Sequence, residues 1–301
     1  MLDDIDPIFQ QTKFSFEEDF HAQKWLDWFE NYWTLSIIAS VIYVVVIFSI
    51  QRLMKYRERF NLRPALILWS LSLAVFSTVC AWRLWTEYLL YYRKFGLKAT
   101  MCDEQIGYHG VNGFWSLMFV LSKLPELGDT LFIVLRKQPL IFLHWYHHIT
   151  VFVYSWYSYQ YMVAPGRYFI GVNCTVHAVM YSYYTLRASR LFKIPRFINV
   201  CITLFQMSQM VVGVTVNYLA YRFRSRGEHC STTDINILVA LLMYASYLVL
   251  FAHYFYKAYI SRSTKPTSTK NMEVNGNGVH SNGTALHLKR AHLNGNGIKV
   301  D

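Results

Sequence analysis

The chain has 301 residues, 54% of them hydrophobic, 18% aromatic and only 16% charged, with a formal net charge of +11. A soluble domain carries about 25% charged residues, so the composition argues against a soluble enzyme and for a chain that lives in lipid. The positive balance needs no nucleic acid to explain it, because it mostly reflects a set of basic loops and the tail.

In chain order, the first thirty residues are acidic and lack the basic n-region of a cleavable signal peptide. The first apolar helix is therefore expected to act as its own targeting signal, and residues 1–33 are read as a segment ahead of the membrane region. Seven windows then approach the roughly 20 apolar residues that a helix needs to cross hydrocarbon. They cover 34–50, 65–92, 114–135, 140–160, 168–186, 197–220 and 235–259. The second is overlong, so it is expected to tilt or run past the interface. The fold class is thus all-α integral membrane, with seven transmembrane helices in one domain over 34–260.

Loop charge sets the expected orientation. Segments Gln51–Pro64, Arg136–Pro139, Arg187–Arg196 and Lys257–Lys270 carry fifteen Lys and Arg, against nine in the opposite set. The positive-inside rule places the richer set in the cytosol, leaving the N-terminus lumenal and the C-terminus cytosolic. Cys102 and Cys230 then share the lumenal side, where a disulfide forms and persists. The two are expected to be bridged, closing the bundle; two unpaired loop thiols are the alternative. Cys80, Cys174 and Cys201 fall inside helices. From residue 261 to 301 the chain repeats Asn-Gly, as in Asn275-Gly276-Asn277-Gly278. Such a stretch buries too little apolar surface to offset its ordering, so it reads as a disordered cytosolic tail.

The chemistry is expected from His144-Trp145-Tyr146-His147-His148. Positions i, i+3 and i+4 share a helix face, and three imidazoles at membrane depth are costly unless they face a protected cavity. One histidine alone reads as a satisfied core residue. Three on a face point to a base, acid, nucleophile or ligand set. Polar partners occur in three other windows. Lys123, Glu126 and Thr130 lie on one stripe with Asp129 beside it, around Pro125 and Gly128, where a kink is expected. Asn173, His177, Met180, Tyr181 and Tyr184 share a side of the fifth helix. Thr203, Gln206 and Gln209 recur on the sixth. An internally neutralised ion pair would also explain the first group, and plain helix–helix adhesion the last. Together they suggest one polar chamber inside the bundle.

Three functions fit such a chamber. His-x-x-His-His occurs in membrane diiron desaturases and hydroxylases, but that centre needs several His-rich boxes. Outside the loops and tail this chain offers only His144, His147, His148, His177 and His253. A transporter or receptor would be expected to show broken helices or inverted repeats, and none is visible. The third reading is acyl transfer. Lys123-x-x-Glu126-x-x-Asp129-Thr130, His144-x-x-His147-His148, His177-x-x-Met180-Tyr181-x-Tyr183-Tyr184 and Thr203-x-x-Gln206-x-x-Gln209 occur in this order. Over roughly residues 20–260 this set resembles the very-long-chain fatty acid elongases, the 3-ketoacyl-CoA synthases of the endoplasmic reticulum. Leu135–Thr150 and Leu68–Ser77 resemble the branch that extends C12–C16 saturated and monounsaturated chains.

The resemblance implies six helices closing a barrel around an acyl tunnel, with the first helix outside. It implies long-chain acyl-CoA and malonyl-CoA as substrates, for instance palmitoyl-CoA going to C18, and no metal or redox cofactor. It suggests His147 as nucleophile in an acyl-imidazole, with His144 and His148 beside it, and His177 and Asn173 handling the malonyl group. Lys123, Glu126 and Asp129, with Tyr181, Tyr184, Gln206 and Gln209, would shape the substrate site. Expected partners are membrane lipids and the ketoacyl-CoA reductase, dehydratase and enoyl reductase of the cycle; a homodimer is left open. The family often ends in a dilysine retrieval signal, whereas this chain ends Ile298-Lys-Val-Asp301, leaving its mode of retention open.

Overall fold

The computed structural model describes residues 13–18, 20–108 and 110–261; apart from Ser261, the segment read as a disordered tail lies outside them. Among these residues every regular element is helical and no strand occurs. Helix α1 spans Ala22–Tyr32, α2 Leu35–Leu53, α3 Arg63–Cys102, α4 Gly110–Glu126 and α5 Asp129–Leu135. They are followed by α6 Phe142–Tyr159, α7 Gly166–Ser189, α8 Arg196–Ser225 and α9 Asp234–Phe255.

Four stretches are long and apolar enough to cross a membrane: Leu35–Tyr56, Arg63–Cys102, Arg196–Ser225 and Asp234–Ile260. The protein is an all-helical, multi-pass membrane protein. The windows at 114–135, 140–160 and 168–186 became α4 with α5, α6 and α7. The first is divided in two, and the other two are diluted by histidines, tyrosines and serines. The residues that mark a site are thus the ones that weaken the apolar signal.

The overlong second window is a helix of 40 residues, about 60 Å at about 1.5 Å per residue, against a hydrocarbon layer of about 30 Å. It bends at Gly96, whose φ of 76° lies in the left-handed region that favours glycine. Helix α3 packs along α7, and α8 along α9. The second pair needs Gly213, since a Cβ there would lie 2.8 Å from the Tyr244 ring.

Connections gather at two ends. At one, Ser231 donates its amide to the Cys102 carbonyl (2.9 Å) and Ala164 to the Ser231 carbonyl (2.8 Å). Cys102 and Cys230 form a disulfide across 128 residues of sequence, with Cα atoms 4.1 Å apart. At the other, Arg63 donates to the carbonyls of Ala188 and Ser189, each at 2.7 Å. There too the Phe60 amide reaches the Leu135 carbonyl at 3.1 Å. Three of the four basic segments therefore meet at one end of the body. The N-terminal segment is not a bare leader. Phe29 of α1 is fully buried against Trp156 and Tyr159, and buried Glu17 accepts from Arg83 and Trp115.

Candidate active site

The site is built where α4 stops and α5 starts. Pro125 has no amide to give the helix ladder, and the chain turns at Gly128, whose amide bonds the Pro125 carbonyl at 2.8 Å. The break sends the polar stripe in two directions instead of one. Lys123 and Glu126, both almost fully buried, face Asn173 and His177 of α7, while Asp129 sits between Trp69 of α3 and Tyr181 of α7, and Thr130 faces α2 and α6.

Lys123 Nζ donates to both Glu126 oxygens, at 2.8 and 2.9 Å, and to Asn173 Oδ1 at 3.3 Å. Ser122 adds a hydroxyl to Glu126 at 2.9 Å, and the ammonium stands 4.0 Å from the Phe119 ring centroid. Two buried charges are tolerated in such a place only when their remaining lone pairs and protons are also engaged, and here they are. Asn173 Nδ2 lies 3.4 Å from His177 Nε2 and 3.4 Å from Gln209 Oε1. His177 Nδ1 is 3.9 Å from Glu126. Helices α4, α7 and α8 thereby meet in one hydrogen-bonded group.

Asp129 forms a second group. It accepts from Trp69 Nε1 and from the Tyr181 hydroxyl, both at 2.6 Å. Tyr184 is half-buried and stacks edge-on to Tyr181, with centroids 6.2 Å apart. Gln206 turns away from Gln209's group, its amide 3.1 Å from the Met180 sulfur. Thr130 links to the Tyr43 hydroxyl of α2 at 2.6 Å and to His144 Nε2 at 3.0 Å.

The three histidines are consequently not equivalent. His144 is engaged by Thr130, and His148 is buried between its two companions, with centroids 4.6 and 5.6 Å away. His147 lines a cavity of about 70 Å³ between α4, α6, α7, α8 and α9, and Asn173 and Gln209 line it too. The ring of Tyr247, 4.9 Å from His147, closes the α9 side. Cys174 points elsewhere, its sulfur 2.8 Å from that of buried Cys80, and does not line the cavity. Among the described residues no three His, Cys, Asp or Glu side chains are grouped to hold a metal.

Sequence reasoning missed Trp69, Tyr43, Ser122 and Tyr247. Each is an aromatic or hydroxyl side chain in an otherwise apolar helix. Such residues usually satisfy themselves locally or at an interface, so nothing in the one-dimensional pattern separates them from their many neighbours of the same type.

Comparison with known proteins bears on this geometry. The family described as ELO: GNS1/SUR4 matches residues 28–267. The chain belongs to this family. It is 49% identical to very long chain fatty acid elongase 6 of Gallus gallus over 254 residues, 84% of this chain and 95% of that one. It is 47% identical to very long chain fatty acid elongase 6 of Homo sapiens over 258 residues, 86% and 97% of the two chains. It is 41% identical to very long chain fatty acid elongase 3 of Homo sapiens over 262 residues, 87% and 94%. The ELO match spans every helix from α2 to α9 and both polar groups of the site.

Proposed function

We propose that this ELO protein condenses a long-chain acyl-CoA with malonyl-CoA, giving 3-ketoacyl-CoA, carbon dioxide and CoA, with His147 as nucleophile. The observation that carries the reading is that, of the three clustered histidines, His147 is the one lining the cavity, beside Asn173. The imidazole attacks the thioester carbonyl; the C–S bond breaks and CoA leaves as the thiol with the imidazole proton. Malonyl-CoA then loses carbon dioxide, and the electron pair of that C–C bond becomes an enolate. Its carbon attacks the acyl-imidazole, forming the new C–C bond as the C–N bond breaks; the departing imidazole nitrogen takes up one proton from solvent, which restores neutral His147. Splitting one hard substitution into two steps is what a covalent nucleophile provides. In this reading the Asn173 amide, which lines the cavity, receives the malonyl carbonyl with His177 next to it, since enolate charge is stabilised best by preset donors. Lys123 and Glu126 hold Asn173 and His177 in place.

In this reading α3, α4 with α5, α6, α7, α8 and α9 form the barrel, and α2, whose Ile38, Val41, Ile42 and Val45 are exposed, lies outside it facing lipid. The end where the basic segments meet is cytosolic and admits CoA; the disulfide end is lumenal. The membrane is that of the endoplasmic reticulum. C12–C16 saturated and monounsaturated acyl-CoAs are the substrates, and the reductases and dehydratase of the cycle are the neighbours. The diiron alternative is not favoured: the relatives are named as elongases, and among the described residues no set of ligating side chains accompanies the histidine box.

Purified protein given palmitoyl-CoA alone should release CoA and gain one acyl mass on the peptide containing His144–His148. His147→Ala should abolish both. CoA release that requires malonyl-CoA, with no adduct on α6, would overturn the covalent step and leave His147 as a general base.

A further inference from the structure

Helix α9 meets the histidine helix through two adjacent side chains, Ser246 and Tyr247. The Tyr146 hydroxyl lies 3.0 Å from Ser246 Oγ, and the Tyr247 hydroxyl 2.5 Å from Thr150 Oγ1. Ser246 gives its own proton to the Met243 carbonyl at 2.7 Å, and Thr150 gives its to the Tyr146 carbonyl at 2.7 Å. A hydroxyl has one proton to donate, so Tyr146 donates to Ser246 and Tyr247 to Thr150. Both bonds hold the turn of α6 that carries His147. Tyr247 also lies against the imidazole, its ring 4.9 Å away and inclined at 55°. It is 1% exposed and lines the cavity with His147.

His144 and His177 are aimed by hydrogen bonds, with Thr130 and Asn173 respectively. Among the described residues neither ring nitrogen of His147 has such a bond. That leaves a nitrogen open to react. It also leaves the ring angle to packing, because the last torsion of a histidine is a broad, roughly two-fold well. The geometry points to Tyr247 as the positioning residue for His147: its ring sets the imidazole's angle to the cavity, and its hydroxyl ties that ring to the next turn of the same helix. Nucleophile and support then move as one body. The inference rests on the condensation reading above, in which His147 attacks the thioester. A reacting atom misplaced by about 1 Å costs about a hundredfold in rate, so a site with an unsupported imidazole should bind substrate and fail to attack it.

The test uses the purified full chain and palmitoyl-CoA alone, reading single-turnover CoA release. It separates the rate at saturation from the concentration that gives half that rate. Tyr247→Leu removes the ring and should cut the saturating rate by about a hundredfold, with the half-saturating concentration unchanged. Tyr247→Phe keeps the ring and loses one neutral hydrogen bond, and should cut the rate by about two- to tenfold. Thr150→Val removes the other end of the same bond, so it should match Tyr247→Phe and add nothing to it in the double variant. Ser246→Ala breaks the neighbouring α6–α9 bond; it should lower the thermal midpoint and keep the wild-type rate. In parallel, the His147 ring resonances of histidine-labelled protein, assigned by their loss in His147→Ala, should shift in Tyr247→Leu and stay in Ser246→Ala. If Tyr247→Leu does not fold, Tyr247→Phe and Thr150→Val decide. A loss confined to the half-saturating concentration would make Tyr247 a cavity wall and overturn the inference. So would an equal loss of rate in Ser246→Ala, which would mean general docking of α9. A wild type that releases CoA only with malonyl-CoA would remove the covalent step, and the same ratios are then read in condensation. A wild type that does neither sinks the condensation reading, and unmoved His147 resonances in Tyr247→Leu would by themselves overturn the positioning.

Discussion

Lys123–Glu126 and Arg83–Glu17 are both buried cation–carboxylate pairs, with closest approaches of 2.8 and 2.6 Å. Their surroundings differ. Glu17 takes the Arg83 guanidinium in a two-point grip, and its remaining capacity goes to Trp115 Nε1 and to the Phe14 amide, with the Phe14 ring near the guanidinium. Apart from the Phe14 amide, which belongs to the same segment, these contacts join the N-terminal segment to the body, and neither Glu17 nor Arg83 lines the cavity at His147. Lys123 and Glu126 are neighbours on one helix, so their pairing joins nothing by itself. Their other contacts run to Asn173 and His177, and Asn173 borders the cavity with His147. Burial of an ion pair is thus no mark of function. What distinguishes the two is whether the partners' remaining hydrogen bonds end in packing or at open space.

Deleting one carboxylate from each pair gives the sharpest contrast. Either deletion leaves a buried cation without its partner, a cost of about 3–5 kcal/mol. Glu17→Ala and Glu126→Ala should therefore lower the thermal midpoint in detergent by similar amounts. Activity should separate them. Glu17→Ala should keep wild-type turnover per folded molecule, and the apolar double replacement Glu17→Leu with Arg83→Met should recover most of the stability. Glu126→Gln keeps the shape but not the charge, and should lose condensation even in the folded fraction. Equal activity loss in both would mean that the N-terminal segment also shapes the site.

The disulfide end offers the next test. Cys102–Cys230 closes a long loop, and removing such a link costs about 2–5 kcal/mol, with a mechanism that depends on the unfolded state. Reductant should lower the midpoint of wild type, and Cys102→Ser should start low and ignore reductant. Acyl-imidazole formation in the surviving fold should persist, because the bridge touches no residue of either polar group. A reductant that stops CoA release without unfolding the protein would tie the two ends together after all.

The sequence was most legible where residue chemistry conflicts with its setting. Charged and imidazole groups at membrane depth demand partners, so Lys123, Glu126, Asp129, His144, His147, His148, Asn173, His177 and Gln209 could be picked out one by one. The division among them could not. Whether Thr130 joins Lys123 or His144 depends on how far the chain turns at Pro125–Gly128, and a break of two residues rotates everything after it. Gln206 and Gln209 share a stripe in sequence, yet one meets a methionine and the other the site, because only three-dimensional crowding decides which of two adjacent turns reaches Asn173. The partners that complete the groups, Trp69 for Asp129 and Tyr43 for Thr130, come from helices whose pattern is otherwise plain lipid-facing apolarity. The first apolar helix, read as lying outside the barrel, still sends one hydroxyl inward.

That hydroxyl carries the smallest effect expected here. Tyr43 touches Thr130, and Thr130 touches His144, so this hydroxyl gives α2 a hydrogen-bonded path to the imidazoles beside the direct packing of Phe48 on Trp145. Tyr43→Phe removes one neutral hydrogen bond and leaves the ring, a net change of about 0.5–1.5 kcal/mol. Thr130 keeps His144 as a partner, so no buried group is left stranded and the fold should tolerate the change. If α2 is a lipid-facing accessory and His144 merely props the cluster, the variant should melt slightly earlier and condense at near wild-type rate. His144→Ala should then reduce turnover modestly while acylation of His147 persists. Should Tyr43→Phe instead cost turnover as much as His144→Ala does, the relay would be setting the orientation of the imidazoles. Helix α2 would then belong to the active site, on the same footing as the helices that enclose the cavity.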